Sequence, residues 1–181
     1  MILYVNSCVR TDSRTDRIAR ELLKKLGGEV TEIYLPGEDL QPLSREALDC
    51  RTRLIGQGDY ADAMFRYAKQ FALADRIVIA APYWDLSFPA VLKTYIENIY
   101  ATGIVSRYGP DGRPVGLCRA KELIYVTTAG GPYVPTYSYD YLRCLAMDFF
   151  GIPSTRLIAA EMLDVDGMDA EAILRKTIES I

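Results

Sequence analysis

Along the chain, short unbroken apolar runs alternate with longer stretches whose apolar residues recur every three or four positions. The runs at 2–6 (ILYVN), 29–35 (EVTEIYL), 76–82 (RIVIAAP), 122–131 (ELIYVTTAGG) and 154–161 predict five strands. The clearest, RIVIAAP, is continuous and β-branched and stops at Pro82, as a strand covered on both faces should. The intervening stretches predict helices. Residues 14–26 put Ile18, Leu22, Leu23 and Leu26 on one face, and Ser44 is placed to cap a helix running to about Ile55. Asp59 is expected to cap a helix whose Ala61, Met64, Phe65, Ala68 and Ala72 share a face. Ser87 and Pro89 open a helix over 88–101, with Phe88, Val91, Leu92, Tyr95, Ile96 and Ile99 turned inward. Residues 136–150 and 169–180 complete the helical set, and the Gly/Pro-rich 104–117 predicts an excursion or hairpin around YGPDGRP. Strands joined by helices imply an α/β fold, a parallel sheet with helices on both faces, in one domain over 1–181.

Composition narrows the function. The chain has 181 residues, half of them hydrophobic, enough for one full core. A net charge of −3 gives no electrostatic case for nucleic acid or an anionic membrane. No apolar stretch is long enough to span a bilayer, and MILYV opens without a basic region or cleavage site, so a cytoplasmic protein is expected. Cys8, Cys50, Cys118 and Cys144 have no metal spacing and read as free thiols. Histidine is absent, which removes Ser-His and Cys-His couples and the commonest zinc ligand.

Ligands of a parallel sheet bind beyond the carboxyl ends of its strands, at the switch point of the strand order. Three ends carry distinctive chemistry: NSCVRTDSRT after the first strand, APYWDLSFP after the third and TTAGGPY after the fourth. In the first, Ser7, Arg10, Ser13, Arg14 and Thr15 lie at a helix start, where exposed N–H groups, hydroxyls and guanidinium favour an anion. A plainer reading makes Ser13 a helix cap and the arginines surface charge. A third reading is a phosphatase loop, because Cys8 and Arg14 have the Cys-x5-Arg-Ser/Thr spacing. Such a loop needs glycine to curl around a phosphoryl group, and this one has none. The low-molecular-weight phosphatases also present an Asp-Pro acid, and no Asp-Pro occurs here. The second end holds the only tryptophan, and Pro82, Tyr83 and Trp84 suit a flat conjugated ligand as well as ordinary packing. In the third, Gly130 and Gly131 permit positive φ and close backbone approach, or a plain turn. No GxGxxG follows the first strand, so a dinucleotide fingerprint is missing. YVPTYSYDY holds four tyrosines, suited to an interface first and an acceptor pocket second.

These loops, in this order, resemble the flavodoxin-like NAD(P)H-dependent FMN reductases, the NAD(P)H:quinone oxidoreductase and FMN-dependent azoreductase family. The AP…LK.Y.ENI block and the Gly-Gly after the fourth strand carry most of the resemblance, which runs from MILYVNSCVRTDSRT to DYLRCLAMDFFGI. It implies a flavodoxin-like strand order, 2-1-3-4-5, and non-covalently bound FMN. Ser7, Arg10, Ser13, Arg14 and Thr15 would surround the phosphate. Pro82, Tyr83, Trp84, Asp85 and Leu86 would line the ring system, and Thr128, Ala129, Gly130 and Gly131 its pyrimidine edge. Tyr133 and Tyr137 would face the substrate. It further implies a ping-pong reaction, with hydride from NADH or NADPH passing through flavin N5 to a quinone or azo acceptor, in a homodimer, with no side chain acting as acid or base. A flavodoxin-type electron carrier is the alternative. Asp85 stands where azoreductases often have Asn, and ionised near the flavin it would lower the reduction potential; Ala129 stands where an arginine is common and removes a possible positive charge near the ring.

Overall fold

The computed structural model describes residues 1–181. In chain order the elements are β1 (Ile2–Asn6), α1 (Arg14–Leu26), β2 (Val30–Tyr34), α2 (Arg45–Gln57), α3 (Arg66–Leu73), β3 (Arg76–Ala80) and α4 (Ala90–Ile99). Then come β4 (Ser106–Tyr108), β5 (Pro114–Gly116), β6 (Leu123–Thr128), α5 (Tyr139–Cys144), β7 (Thr155–Ala160) and α6 (Ala170–Glu179). Five strands form one parallel sheet in the order β2-β1-β3-β6-β7, which is 2-1-3-4-5 once the separate β4–β5 hairpin is set aside.

Side chains alternate between two cores. Leu3, Val5, Ile77, Ile79, Leu123 and Tyr125 face Leu54 of α2, Phe71 of α3, Tyr95 and Ile99 of α4, and Leu142 of α5. Ile2, Tyr4, Val78, Ala80, Ile124 and Val126 face Ile18, Leu22 and Leu23 of α1 and Leu174 of α6. Burial on both faces explains why β1, β3 and β6 read as continuous apolar runs. No helix is long and apolar enough to cross a membrane.

Three expectations change in detail. Asp59 caps no helix: its Oδ1 takes the Ala61 N–H in a local turn, and Asp62 caps a 3-10 turn (Ala63–Phe65) that leads into α3. The helix expected over 136–150 is a 3-10 turn (Pro135–Tyr137), then α5, then a π-helical stretch (Leu145–Phe149) in which the Phe150 N–H reaches the Leu145 carbonyl at 2.9 Å. The wider π turn lets the adjacent rings of Phe149 and Phe150 both meet Tyr100, at 6.1 and 5.7 Å between centroids. The 104–117 segment is an antiparallel hairpin, and at Gly116 its backbone lies directly on the end of that π stretch. A Cβ at Gly116 would stand 2.1 Å from the Gly151 nitrogen and 2.2 Å from the Phe150 carbonyl carbon.

Gly116→Ala therefore forces the hairpin off its seat and costs about 1–3 kcal/mol in urea denaturation. Gly56→Ala, on α2 with open space around it, gains roughly 0.5–1 kcal/mol. Equal effects at the two positions would contradict the hairpin seat.

Candidate functional site

The sheet's hydrogen bonding continues past its strand ends. Ser7 N–H donates to Ala80 O (2.9 Å), Ala81 N–H to Val126 O (3.0 Å), Tyr83 N–H to Thr128 O (3.0 Å) and Ala129 N–H to Ala160 O (2.9 Å). The loops after β1, β3 and β6 consequently leave the rim side by side. Between them lies a crevice of about 350 Å³, within the size of small-molecule sites. Arg10, Ser13, Arg14 and Thr15 line it from the first loop, Pro82, Tyr83 and Trp84 from the second, and Thr128, Ala129 and Gly130 from the third.

The first loop is held from below by Asn6, the last residue of β1. Its Oδ1 accepts the Cys8 N–H at 3.0 Å, and its Nδ2 donates to Asp16 (3.0 Å) and Glu32 (3.1 Å), two carboxylates that Arg20 also bridges. Ser13 caps α1 by accepting the Asp16 N–H, so the plainer role expected of it is present together with a place in the crevice. Buried Thr15 shares a 2.6 Å hydrogen bond with the Thr128 hydroxyl and ties the first loop to the third. Ser7 corrects the expectation of a phosphate ligand: its side chain is fully buried and its Oγ donates to Ala80 O at 2.8 Å. As the residue after β1 it still obeys the sheet's alternation and turns inward. Cys8 is 2% exposed, with Sγ 3.8 Å from Ala80 O, and burial pushes its thiol up to about 11. Cys8 lies outside the crevice lining with its sulfur turned to a buried carbonyl, and a nucleophilic cysteine needs exposure and the opposite shift, which counts against the phosphatase reading.

The second loop folds into a two-residue reverse turn. Trp84 N–H donates to Ser87 O (3.2 Å) and Ser87 N–H to Trp84 O (2.8 Å), with Asp85 and Leu86 at φ of +49° and +67°. That is type I′ chemistry, which favours Asn or Asp first and Gly second. Leucine in the second place stores strain at the crevice mouth. The turn carries Asp85 and Leu86 out to solvent, so neither side chain lines the crevice. Tyr83 stays in it, with the Tyr133 ring edge-on at 4.9 Å. Tyr133 and Tyr137 do not reach the crevice. The Tyr133 hydroxyl shares a hydrogen bond with Ser138, and Tyr137 is 63% exposed with its carbonyl accepting from Ser87. The 3-10 turn Pro135–Tyr137 carries Tyr137 away from the crevice.

The third loop corrects a conformational expectation. Gly130 and Gly131 do not adopt positive φ, and Gly131 lies outside the crevice lining. The loop is zipped to the segment after β7: Met162 N–H donates to Gly131 O (3.0 Å), Leu163 N–H to Ala129 O (3.2 Å) and Asp164 N–H to Gly130 O (2.9 Å). This pairing brings Leu163 and Asp164 into the crevice beside Val9 and Asp12, four lining residues that loop chemistry did not point to. The acidic EMLDVDG following the fifth strand was the available signal, since every parallel strand ends on the same rim.

An α/β domain with a ligand crevice at the carboxyl rim of a parallel sheet is the class these features define. The family model described as flavodoxin-like fold matches residues 1–181, and the chain belongs to that family. FMN-dependent NADH:quinone oxidoreductase 2 of Clostridium acetobutylicum is 39% identical over 191 residues, covering 98% of this chain and 94% of that protein. The FMN-dependent NADH:quinone oxidoreductase of Clostridium beijerinckii is 35% identical over 188 residues, with the same coverage of both chains. The crystal structure of an azoreductase from Bacillus anthracis strain Sterne superimposes with a TM-score of 0.84 at 26% identity, over 99% of this chain and 95% of that one.

In the folded protein Cys8 stays unalkylated by iodoacetamide at about pH 8 and reacts after unfolding; peptide mapping that finds it labelled as fast as exposed Cys144 contradicts its burial. Leu86→Gly relieves about 1 kcal/mol of strain and releases a similar amount of unfolded-state entropy, for a net change within roughly 0.5 kcal/mol. Leu86→Val, β-branched at positive φ, loses about 1–2 kcal/mol in the same urea titration.

Proposed function

We propose that the protein is an FMN-dependent oxidoreductase that uses NADH to reduce a quinone or azo compound. The observation that carries this reading is the meeting of three chemically different loops in one crevice. At one side stand Arg10, Arg14 and the start of α1, suited to a phosphate. Tyr83 and Trp84 offer aromatic surface, and Ala129–Gly130 offer backbone, as a flat ring with polar edges requires. The donor set fits a phosphate, because Nε and Nη2 of Arg14 carry no partner in the protein and Arg10 is exposed on the same loop.

Bound FMN would supply the redox chemistry that the side chains lack, two-electron transfer between NADH and the acceptor in a ping-pong sequence. The protein's part is placement. Arg14, Ser13, Thr15 and Arg10 would hold the phosphate, the second loop would wall the ring, and Thr128–Gly130 would meet its pyrimidine edge. The crevice floor, sealed by Ala129 and Leu163, keeps water from one side. Trp84 (41% exposed), Leu86 (57%), Val134 (44%) and Tyr137 leave apolar surface beside the crevice, which supports a homodimer whose second copy narrows the acceptor site. The NADH preference is taken from the names of the clostridial relatives.

Purified protein should take up FMN, show flavin absorption bands and oxidise NADH with menadione. Protein that stays colourless with added FMN sinks the reading. Flavin that NADH reduces only slowly, without menadione turnover, would instead mark an electron carrier.

A further inference from the structure

The two arginines that line the crevice are held differently. Arg10 is exposed on the loop. Arg14 is gripped by a segment 150 residues away: its Nη1 donates to Asp164 Oδ1 at 2.7 Å and to the Leu163 carbonyl at 3.4 Å, while Nε and Nη2 have no partner in the protein. Asp164 is itself seated, because its N–H donates to the Gly130 carbonyl at 2.9 Å. Its carboxylate lies so close to Gly130 that a Cβ there would stand 2.5 Å from Oδ2. The φ of Gly130 is ordinary, so what its missing Cβ provides is the space the carboxylate occupies; a Cβ there would push the carboxylate aside.

A guanidinium fixed at one end keeps its plane, and it can present its remaining donors to a second anion without a further loss of rotamer freedom. We propose that Asp164 is a positioning residue for the cofactor phosphate. By holding Nη1 it keeps the Nε and Nη2 side of Arg14 set for phosphate oxygens, and Gly130 makes that hold sterically possible. This inference rests on the reading of the crevice as an FMN site. Asp164 is exposed and Arg14 half-exposed, so the pair adds little to folding stability and its variants should fold.

The test is a flavin-fluorescence titration of the full-length, flavin-stripped protein with FMN and with riboflavin, which lacks the phosphate. Asp164→Ala should weaken FMN roughly three- to tenfold and riboflavin less than about twofold. Asp164→Asn, which keeps an oxygen acceptor, should fall between that variant and the wild type. Gly130→Ala should lower the FMN-to-riboflavin affinity ratio in the same direction, and the double variant Asp164→Ala/Gly130→Ala should not add the two losses. Tighter FMN binding by Asp164→Ala would mean that the carboxylate opposes the phosphate, and it overturns the proposal. Equal losses for both flavins overturn it too, by reducing Asp164 to a shape-keeping contact. Wild-type protein that binds neither flavin removes the functional reading, and the inference falls with it.

Discussion

Backbone hydrogen bonding that runs one step beyond the strands is the constraint on which the site depends. Four N–H groups, from Ser7, Ala81, Tyr83 and Ala129, bond to the neighbouring strand or its exit after the regular strand has ended or as it ends. Each such bond is worth only about 1 kcal/mol net. Together they hold the exits of β1, β3 and β6 level, so three loops begin from a rigid base. The register that sets this level follows from two-sided burial, because a slip of one residue would exchange Leu3, Val5, Ile77 and Ile79 with the residues of the opposite core.

Rigidity at the base allows the loops to carry unfavourable features above it. Asn6 stands buried between Asp16 and Glu32 with its polar atoms used, and it bends the chain through the Cys8 N–H. Asp85 and Leu86 sit at positive φ without being glycine, a strain that survives because both ends of the turn are hydrogen-bonded across Trp84 and Ser87. The crevice contains two cations, Arg10 and Arg14, against two carboxylates, Asp12 and Asp164. Attraction for an anion there depends on where each charge is held more than on their sum.

The far side of the sheet supports the same rim. The π-helical stretch after α5 docks Phe149 and Phe150 against Tyr100 and gives the β4–β5 hairpin its seat at Gly116. The Tyr-rich segment before α5 crosses behind the crevice, where Tyr133 meets the Tyr83 ring edge-on and Ser87 bonds the Tyr137 carbonyl. These tyrosines brace the second loop without entering the crevice.

The strand and helix sequence was legible because period and burial go together: RIVIAAP admits a strand covered on both faces and little else, and Ser13, Ser44 and Asp169 cap the helices they precede. Three of the loops that form the crevice were legible for the same reason, since parallel strands all end at one rim. The chain alone left open which way each loop side chain turns. Ser7 and Arg14 are both polar residues of one loop, yet pleat alternation buries the first fully and the helix start leaves the second half-exposed in the crevice. Asp164 reaches Arg14 only because β7 lies beside β6 and its exit pairs with Ala129–Gly131. Local pattern specifies elements through interactions a few residues long. Contacts across 150 residues of chain, such as the one between Arg14 and Asp164, exist only when the sheet has put the strand ends next to each other.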